Sequence, residues 1–447
     1  MAEIDVLNID VLLIIFNFLS LYDKLMAMRV CRKWHSIIRD THVWTVIDFR
    51  DKGPVKANPE RRHLRRFVAK HGQDLFTFRE CDEHNRWQFP NKTSDILTFL
   101  RHFSGMALQE IYLNVMNDEI MEFLRRNFPK ICPNVVTFDF SNSKVELFNI
   151  TLDDDIGRRI YLPPKLEQLG VVSPGIGVPM TLMTPSMIEH QGELKLTFQI
   201  VEERNERIFS YVADKCSNLR KICLCRFQLT PSCMQHLTKL TKLREIELNS
   251  CFLGLCSVGD DILTESVGML TSLTCLTIDH RYLEAFSNSE FTLPSSVAKW
   301  ENLKVLFLRL ETIWYEAFGE IIPRLLNVES LELHSPSVTS SVVTLIGKHV
   351  KKVKSLVLTG GTYSSSYSGE SLKSLCHHES LQTLVVSRSG AVETSKQWLH
   401  AVYDVLVTLP NIKRVKLLDR SVHEIYAHGK FPDIKSAEIQ LDNCIEY

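Results

Sequence analysis

The chain has 447 residues, 45% hydrophobic and 23% charged, the balance of a folded chain rather than a disordered or fibrous one. Its formal net charge of −1 supplies no global field toward nucleic acid or an anionic membrane, and neither is expected as a partner. Twelve cysteines are scattered without one Cys-x-x-Cys pair, so buried free thiols are expected, with no metal and no cofactor.

Length alone admits two or three compact domains, or one extended repeat array. The longest apolar run, Val11 to Phe16, is far below the ~20 residues of a membrane span, and the acidic opening lacks a signal peptide's basic region. The final Cys444-Ile445-Glu446-Tyr447 fits a prenylation box poorly. A cytoplasmic or nuclear location is expected.

Three short helices are predicted in the first fifty residues. The first runs from about Ile9 to Leu19 with Asn8 as N-cap. The second is announced by Ser20 with Asp23 three residues on, and Leu21, Leu25 and Met28 mark one face. The third places Cys31, Trp34 and Ile38 on one face, and Val43-Trp44 follows. Six consecutive apolar residues cover the whole circumference of the first helix, so it must be covered on every side. A three-helix unit has too little interior for that, and some of the surface must meet another part of the chain or another protein.

Here the segment resembles the F-box family, whose pattern is Leu-Pro-x-Glu, an apolar helix, an Asp-Leu turn and Val-Cys-[Arg/Lys]-x-Trp. The chain has Leu7-Asn8-Ile9-Asp10, then Leu12-Leu13, Ile15-Phe16, Leu19, Asp23, Leu25 and Val30-Cys31-Arg32-Lys33-Trp34. Asn8 stands for the proline and Asp10 for the glutamate, both acceptable at a helix start. The resemblance implies docking on a Skp-type adaptor and, through it, on a cullin/RING ligase core. It implies adaptor contacts at Leu7, Leu12, Ile15, Phe16, Leu19, Leu25, Val30, Cys31 and Trp34.

Residues 51–104 are expected to be a linker or helical cap. The basic cluster Arg61-Arg62-His63-Leu64-Arg65-Arg66 there fits a solvated helix face better than an import signal. From 105 to 447 one phrase recurs: apolar, two others, apolar, one other, apolar. It appears as Leu108/Ile111/Leu113, Val135/Phe138/Phe140, Leu166/Leu169/Val171, Leu219/Ile222/Leu224, Leu243/Ile246/Leu248 and Leu273/Leu276/Ile278. It continues as Leu303/Leu306/Leu308, Val328/Leu331/Leu333, Val353/Leu356/Leu358, Leu381/Leu384/Val386 and Ile412/Val415/Leu417. From Leu219 the steps are 24, 30, 30, 25, 25, 28 and 31 residues, within or just above the leucine-rich-repeat range. Residues two apart in a strand share a face, so each phrase predicts a short strand pointing its apolar pair inward. Return segments such as Val342–Ile346 and Trp398–Tyr403 read as helical. The fold class expected is therefore α/β: an N-terminal three-helix F-box, then a leucine-rich-repeat solenoid of about 11–13 irregular repeats with a parallel concave sheet. The stretch 173–195, with Ser173-Pro174-Gly175, reads as a loop.

Outward strand positions Arg244, Glu245, Glu247, Lys304, Phe307, Glu332 and Lys354 are not needed for the core and are candidate substrate contacts. The family resemblance implies a protein substrate held by the repeats, without identifying it. Lys348–Lys354 overlaps a predicted strand, and Thr362–Gly369 reads as an exposed, modifiable loop. His377-His378-Glu379 lacks zinc-protease spacing, Gly175-Ile176-Gly177 lacks a nucleotide fingerprint, and no nucleophile–base–acid set can be nominated. A non-catalytic ligase subunit is the leading expectation. The alternative is a repeat scaffold whose F-box acts outside ubiquitin transfer.

Overall fold

The computed structural model describes residues 7–19, 21–39, 43, 46–48, 77–79, 93–102, 108–113, 115–116, 118–131, 133–140, 144–145, 165–172, 205–225, 227–249, 251–253, 270–280, 301–310, 319, 321–335, 338–359, 367–387, 395–418 and 438–442. The chain divides into two compact units, 1–177 with 207–225, and 178–206 with 226–447. The basic cluster 61–66 and the loop 173–195 lie outside the described residues.

The first unit opens on α1 (Ile9–Asn17), α2 (Leu21–Ala27) and α3 (Arg32–Ile38). Its parallel sheet runs β1 (Val46–Asp48), β2 (Thr77–Arg79), β3 (Glu110–Tyr112), β5 (Thr137–Asp139), β7 (Gln168–Val172) and β8 (Lys221–Cys225). β4 (Val115–Met116) and β6 (Lys144–Val145) form a separate two-stranded parallel pair. α4 (Thr93–His102), α5 (Asp118–Ile131) and a helix over 205–215 connect strands. The ladder thus starts well before residue 105. Trp44-x-x-Ile47-x-Phe49 carries the same phrase as the later strands, and Ile47 pairs in parallel with Phe78.

In the second unit the sheet order is β10 (Glu245–Asn249), β12 (Cys275–His280), β13 (Val305–Leu310), β14 (Ser330–His334), β15 (Ser355–Thr359), β16 (Thr383–Ser387), β17 (Arg414–Leu418) and β18 (Glu438–Asp442). β9 (Gln228–Leu229) pairs in parallel with β11 (Phe252–Leu253). The register carries each phrase onto the next: Ile246 lies beside Leu276, Leu276 beside Leu306, and Leu306 beside Leu331. The first and middle residues of every phrase are buried, as is the last wherever its side chain is described. Each such Leu, Ile or Val contributes about 1.5–3 kcal/mol by leaving water, so the stacked triplets are the interior of the repeats.

The helices opposite the sheet begin where the sequence offers a hydroxyl. Thr230, Thr339 and Ser368 cap α6 (Pro231–Thr238), α7 (Ser340–His349) and α8 (Gly369–Leu372) through their side-chain oxygens. α9 (Ser395–Leu406) is the longest helix described in this unit and buries Trp398, Val402 and Val405. Gly347 in α7 is dictated by space: a Cβ there would overlap the Ser374 carbonyl of the adjoining turn.

The turns ahead of the strands are stitched one repeat at a time. Asn302 Nδ2 donates to the Thr271 carbonyl, Asn327 to Glu301 and Asn411 to Glu379. Ser272 and Ser380 do the same with hydroxyls, to Leu243 and to Lys351 and Val353. In each case the donor is the residue just before the phrase. It satisfies a carbonyl that the parallel ladder leaves open.

The polar stretch at 362–369 departs from its expected exposure at its C-terminal end. Tyr367 is buried, and its hydroxyl lies on the Leu358 carbonyl at 3.1 Å and on the Ser387 carbonyl. An aromatic ring stabilises a core more than it does a loop, provided the hydroxyl finds a partner, and here two strand-end carbonyls provide one. Ser368 caps the next helix, so it too has a structural duty.

Candidate functional site

Two surfaces were nominated by sequence, and each is built from a different kind of packing. In the first, Leu12 and Phe16 lie one turn apart on α1 and point inward. Phe16 meets Trp34 of α3 edge-on, with ring centroids 5.2 Å apart. Ala27, Ile37, Ile38 and Val43 complete the small core. The buried Lys24 ammonium donates to the Val43 carbonyl at 3.1 Å, tying α2 to the segment after α3. Asn8 caps α1 as its residue type predicts, its side chain accepting from the Asp10 N–H at 3.4 Å. Cys31 belongs at a helix start rather than on a face: its Sγ accepts from the Trp34 N–H at 3.4 Å.

That core uses one stripe of α1. The rest of the helix faces outward: Ile9, Val11, Ile14 and Ile15 are exposed, and Phe18 just beyond is 87% exposed. Met26 on α2 and Val30 just beyond it, the latter 63% exposed, are uncovered as well. Large apolar side chains gathered in this way are a mark of a surface meant for a partner. The nine residues carried over from the family divide accordingly. Ile15 and Val30 are exposed, Leu7, Leu19, Leu25, Cys31 and Trp34 are half-buried, and Leu12 and Phe16 are interior. Ile9, Val11, Ile14 and Phe18 were not nominated. Their signal was in the sequence, since a helix apolar all round cannot hide every side in a three-helix unit.

The second surface is the outward face of the sheet in the second unit. Register places Glu247, Thr277, Phe307, Glu332, Val357, Val385 and Lys416 in one row across the strands. A parallel row holds Asn249, Asp279, Arg309, His334 and Thr359. Within these rows a set of side chains is joined side to side. Arg309 sits 3.3 Å from the Asp279 carboxylate and 5.4 Å over the Phe307 ring. The His334 ring lies 5.1 Å from Phe307, and its Nδ1 is 2.6 Å from the Thr359 hydroxyl. Its Nε2 is 3.5 Å from a Glu332 carboxylate oxygen. Phe307 and Glu332 were nominated; Asp279, Arg309, His334 and Thr359 were not. Extending the strand alternation by one residue past each phrase would have found them.

The other nominated positions stand differently. Arg244, Lys304 and Lys354 fall at the strand starts. Arg244 donates to the Thr241 and Leu243 carbonyls, while Lys304 and Lys354 flank Glu329 at 3.8 and 2.6 Å. The hydrogen bond from Lys354 and its charge hold the Glu329 carboxyl below the ordinary range. Glu247 accepts from Asn249 Nδ2 at 3.0 Å, and Glu245 lies next to Cys275 across the ladder.

Among the described residues no cluster of His, Cys, Asp or Glu is arranged to hold a metal ion. Cys216, Cys223 and Cys233 are buried; burial pushes the Cys216 thiol up to about 12 and raises Cys233 as well, so both stay protonated and unreactive. Among the described residues no helix is long and apolar enough to cross a membrane.

Residues 9–50 match the F-box-like family model. No curated protein matches the chain. Among solved structures, the chain is similar to that of the TLR13–ssRNA13 complex, with 13% identity and a TM-score of 0.41 over 83% of this chain. It spans 46% of that protein's length. It is also similar to an internalin (inlF) from Listeria monocytogenes, with 11% identity and a TM-score of 0.36, over 90% of this chain and 96% of that one. The chain carries an F-box-like domain at its N-terminus, followed by all-parallel, leucine-rich-repeat-like sheet.

Proposed function

We propose that the chain is the substrate-recognition subunit of an SCF-type ubiquitin ligase, with no catalysis of its own. The F-box docks on a Skp-type adaptor, which links it to a cullin/RING core, and the outward face of the repeats holds a protein substrate in the cytoplasm or nucleus. One observation carries this reading. The residues matching the F-box-like family are those whose helices leave Ile9, Ile14, Ile15, Phe18 and Val30 uncovered. Burying each such side chain against an adaptor contributes about 1.5–3 kcal/mol, and several together offset the cost of association.

The test is co-purification of the full chain with adaptor and cullin. Ile15→Asp with Val30→Asp places charge on the exposed patch while leaving Leu12, Phe16 and Trp34 in place. Adaptor recovery should fall to background with the circular dichroism spectrum unchanged. Unaltered recovery would reject the assignment. Adaptor binding without cullin, and without proteasome-dependent turnover of any partner, would instead support a scaffold outside ubiquitin transfer.

A further inference from the structure

On the outward face of the second unit the polar groups are not evenly spread. On β10, β12, β13 and β14 the outward positions hold Glu245, Glu247, Asp279 and Glu332 against a single cation, Arg309: four acids and one base, a formal −3. Arg309 is committed to Asp279 and to the Phe307 ring. At the neighbouring strand starts Arg244 bonds backbone carbonyls, and Lys304 and Lys354 share the Glu329 carboxylate. Within this face Val305 and Phe307 on β13 form an apolar spot not needed for the interior, and Glu332 lies next to Phe307 on β14.

Phe307 is also held still. Arg309, fixed by Asp279, lies over its ring, and His334, fixed by Thr359, lies beside it. A sheet folds without such an arrangement, whereas a binding anchor gains from it, because a side chain already ordered loses little freedom when a partner lands on it.

We propose that Phe307 and Glu332 are the specificity-determining pair of this face, and that its occupant is an extended protein segment presenting a lysine or arginine next to an apolar side chain. The apolar side chain lies on Val305 and Phe307, and the cation meets the Glu332 carboxylate. Glu245 and Glu247 add attraction from the β10 side. Crossing from β10 to β14 covers three strand spacings of roughly 4.8 Å, which about five extended residues span.

The inference deepens the substrate-receptor reading and rests on it for the identity of the occupant as a substrate. Its test uses the full chain bound to its adaptor and an array of short synthetic peptides pairing an apolar residue with Lys, Arg, Glu or Asp. Wild type should select Lys and Arg over Glu and Asp. Phe307→Ala should weaken capture about tenfold. Glu332→Lys should reverse the charge preference. Glu332→Gln should weaken it without reversing it. Absence of charge selection, or selection unmoved by Glu332→Lys, overturns the proposal. Adaptor recovery is measured on the same variants and should not change. Loss of the ligase reading therefore shows in the adaptor arm, and loss of this proposal shows in the array.

Discussion

The N-terminal helical trio and the repeats of the second unit handle apolar surface in opposite ways. In the repeats every phrase is spent on the interior, and the outward rows are mostly polar, charged or hydroxyl-bearing. In the trio, Leu12 and Phe16 face inward while Ile9, Val11, Ile14, Ile15 and Phe18 on the same helix and its end face out. A repeat covers its neighbour's apolar side, so stacking solves the problem internally. Three short helices cannot enclose a helix that is apolar all round, so these side chains stay exposed, on the surface that the proposed adaptor would cover. Under the proposed function the first is a surface for assembly and the second a surface for reading.

The sharpest way to break that contrast is to charge the two sides of α1 separately. Leu12→Asp places an unpaired carboxylate in the trio's core and should cost about 3–5 kcal/mol, unfolding it. Ile15→Asp sits in water and should cost under about 1 kcal/mol. Thermal melts of the isolated change in each full-length variant, read with limited proteolysis at the N-terminus, measure the gap. Similar losses for both would mean that the outer face is already covered.

Within the repeats, Gly347→Ala should cost about 1–3 kcal/mol, because the added methyl meets the Ser374 carbonyl and α7 must shift from the adjoining turn. A lowered urea midpoint with an unchanged slope is the expected result. Asn411→Ala leaves the Glu379 carbonyl without its donor and should cost about 1 kcal/mol. With Asn327→Ala, at another turn of the same series, the losses should add to within a few tenths of a kcal/mol.

The smallest effect concerns pH. His378 is buried, and loss of hydration holds its imidazole below the ordinary 6.5, with Nε2 2.9 Å from the Val350 carbonyl. Because the unfolded chain takes up the proton first, His378's contribution is full above 6.5. It declines as pH falls from there toward the folded value, then levels off. Urea midpoints across this window should slope for wild type and flatten for His378→Gln.

The repeat phrase was legible because it uses two positions per strand and an anchor three residues earlier, and in the eleven phrases from Leu108 to Leu417 all three are apolar. It failed where one of the three is missing. β18 carries Ile439 and Leu441, but Ser436 occupies the anchor position, and the strand went unread. β1 was obscured differently: Trp44, Ile47 and Phe49 keep the phrase, but it lies directly after the F-box helices and within the segment that resembles that family. On the sheet face, Phe307 and Glu332 were legible from alternation, whereas the Asp279–Arg309 pair and the His334–Thr359 contact depend on which strand lies beside which. That is a property of register, and no single strand contains it. Cys31 and Tyr367 show the same limit on a smaller scale, since a cap and a buried hydroxyl are defined by the group they reach.

The turn stitching has a further consequence. Each Asn or Ser grips only the repeat before it, and the sheet likewise bonds only next to next. A disturbance at one turn therefore has no direct route to a turn several repeats away. Side chains on the outward rows can be exchanged strand by strand, as letters are changed in a line of type, while the triplets beneath keep their place. A lineage bearing this fold is free to rewrite what the face holds without relearning how to fold it.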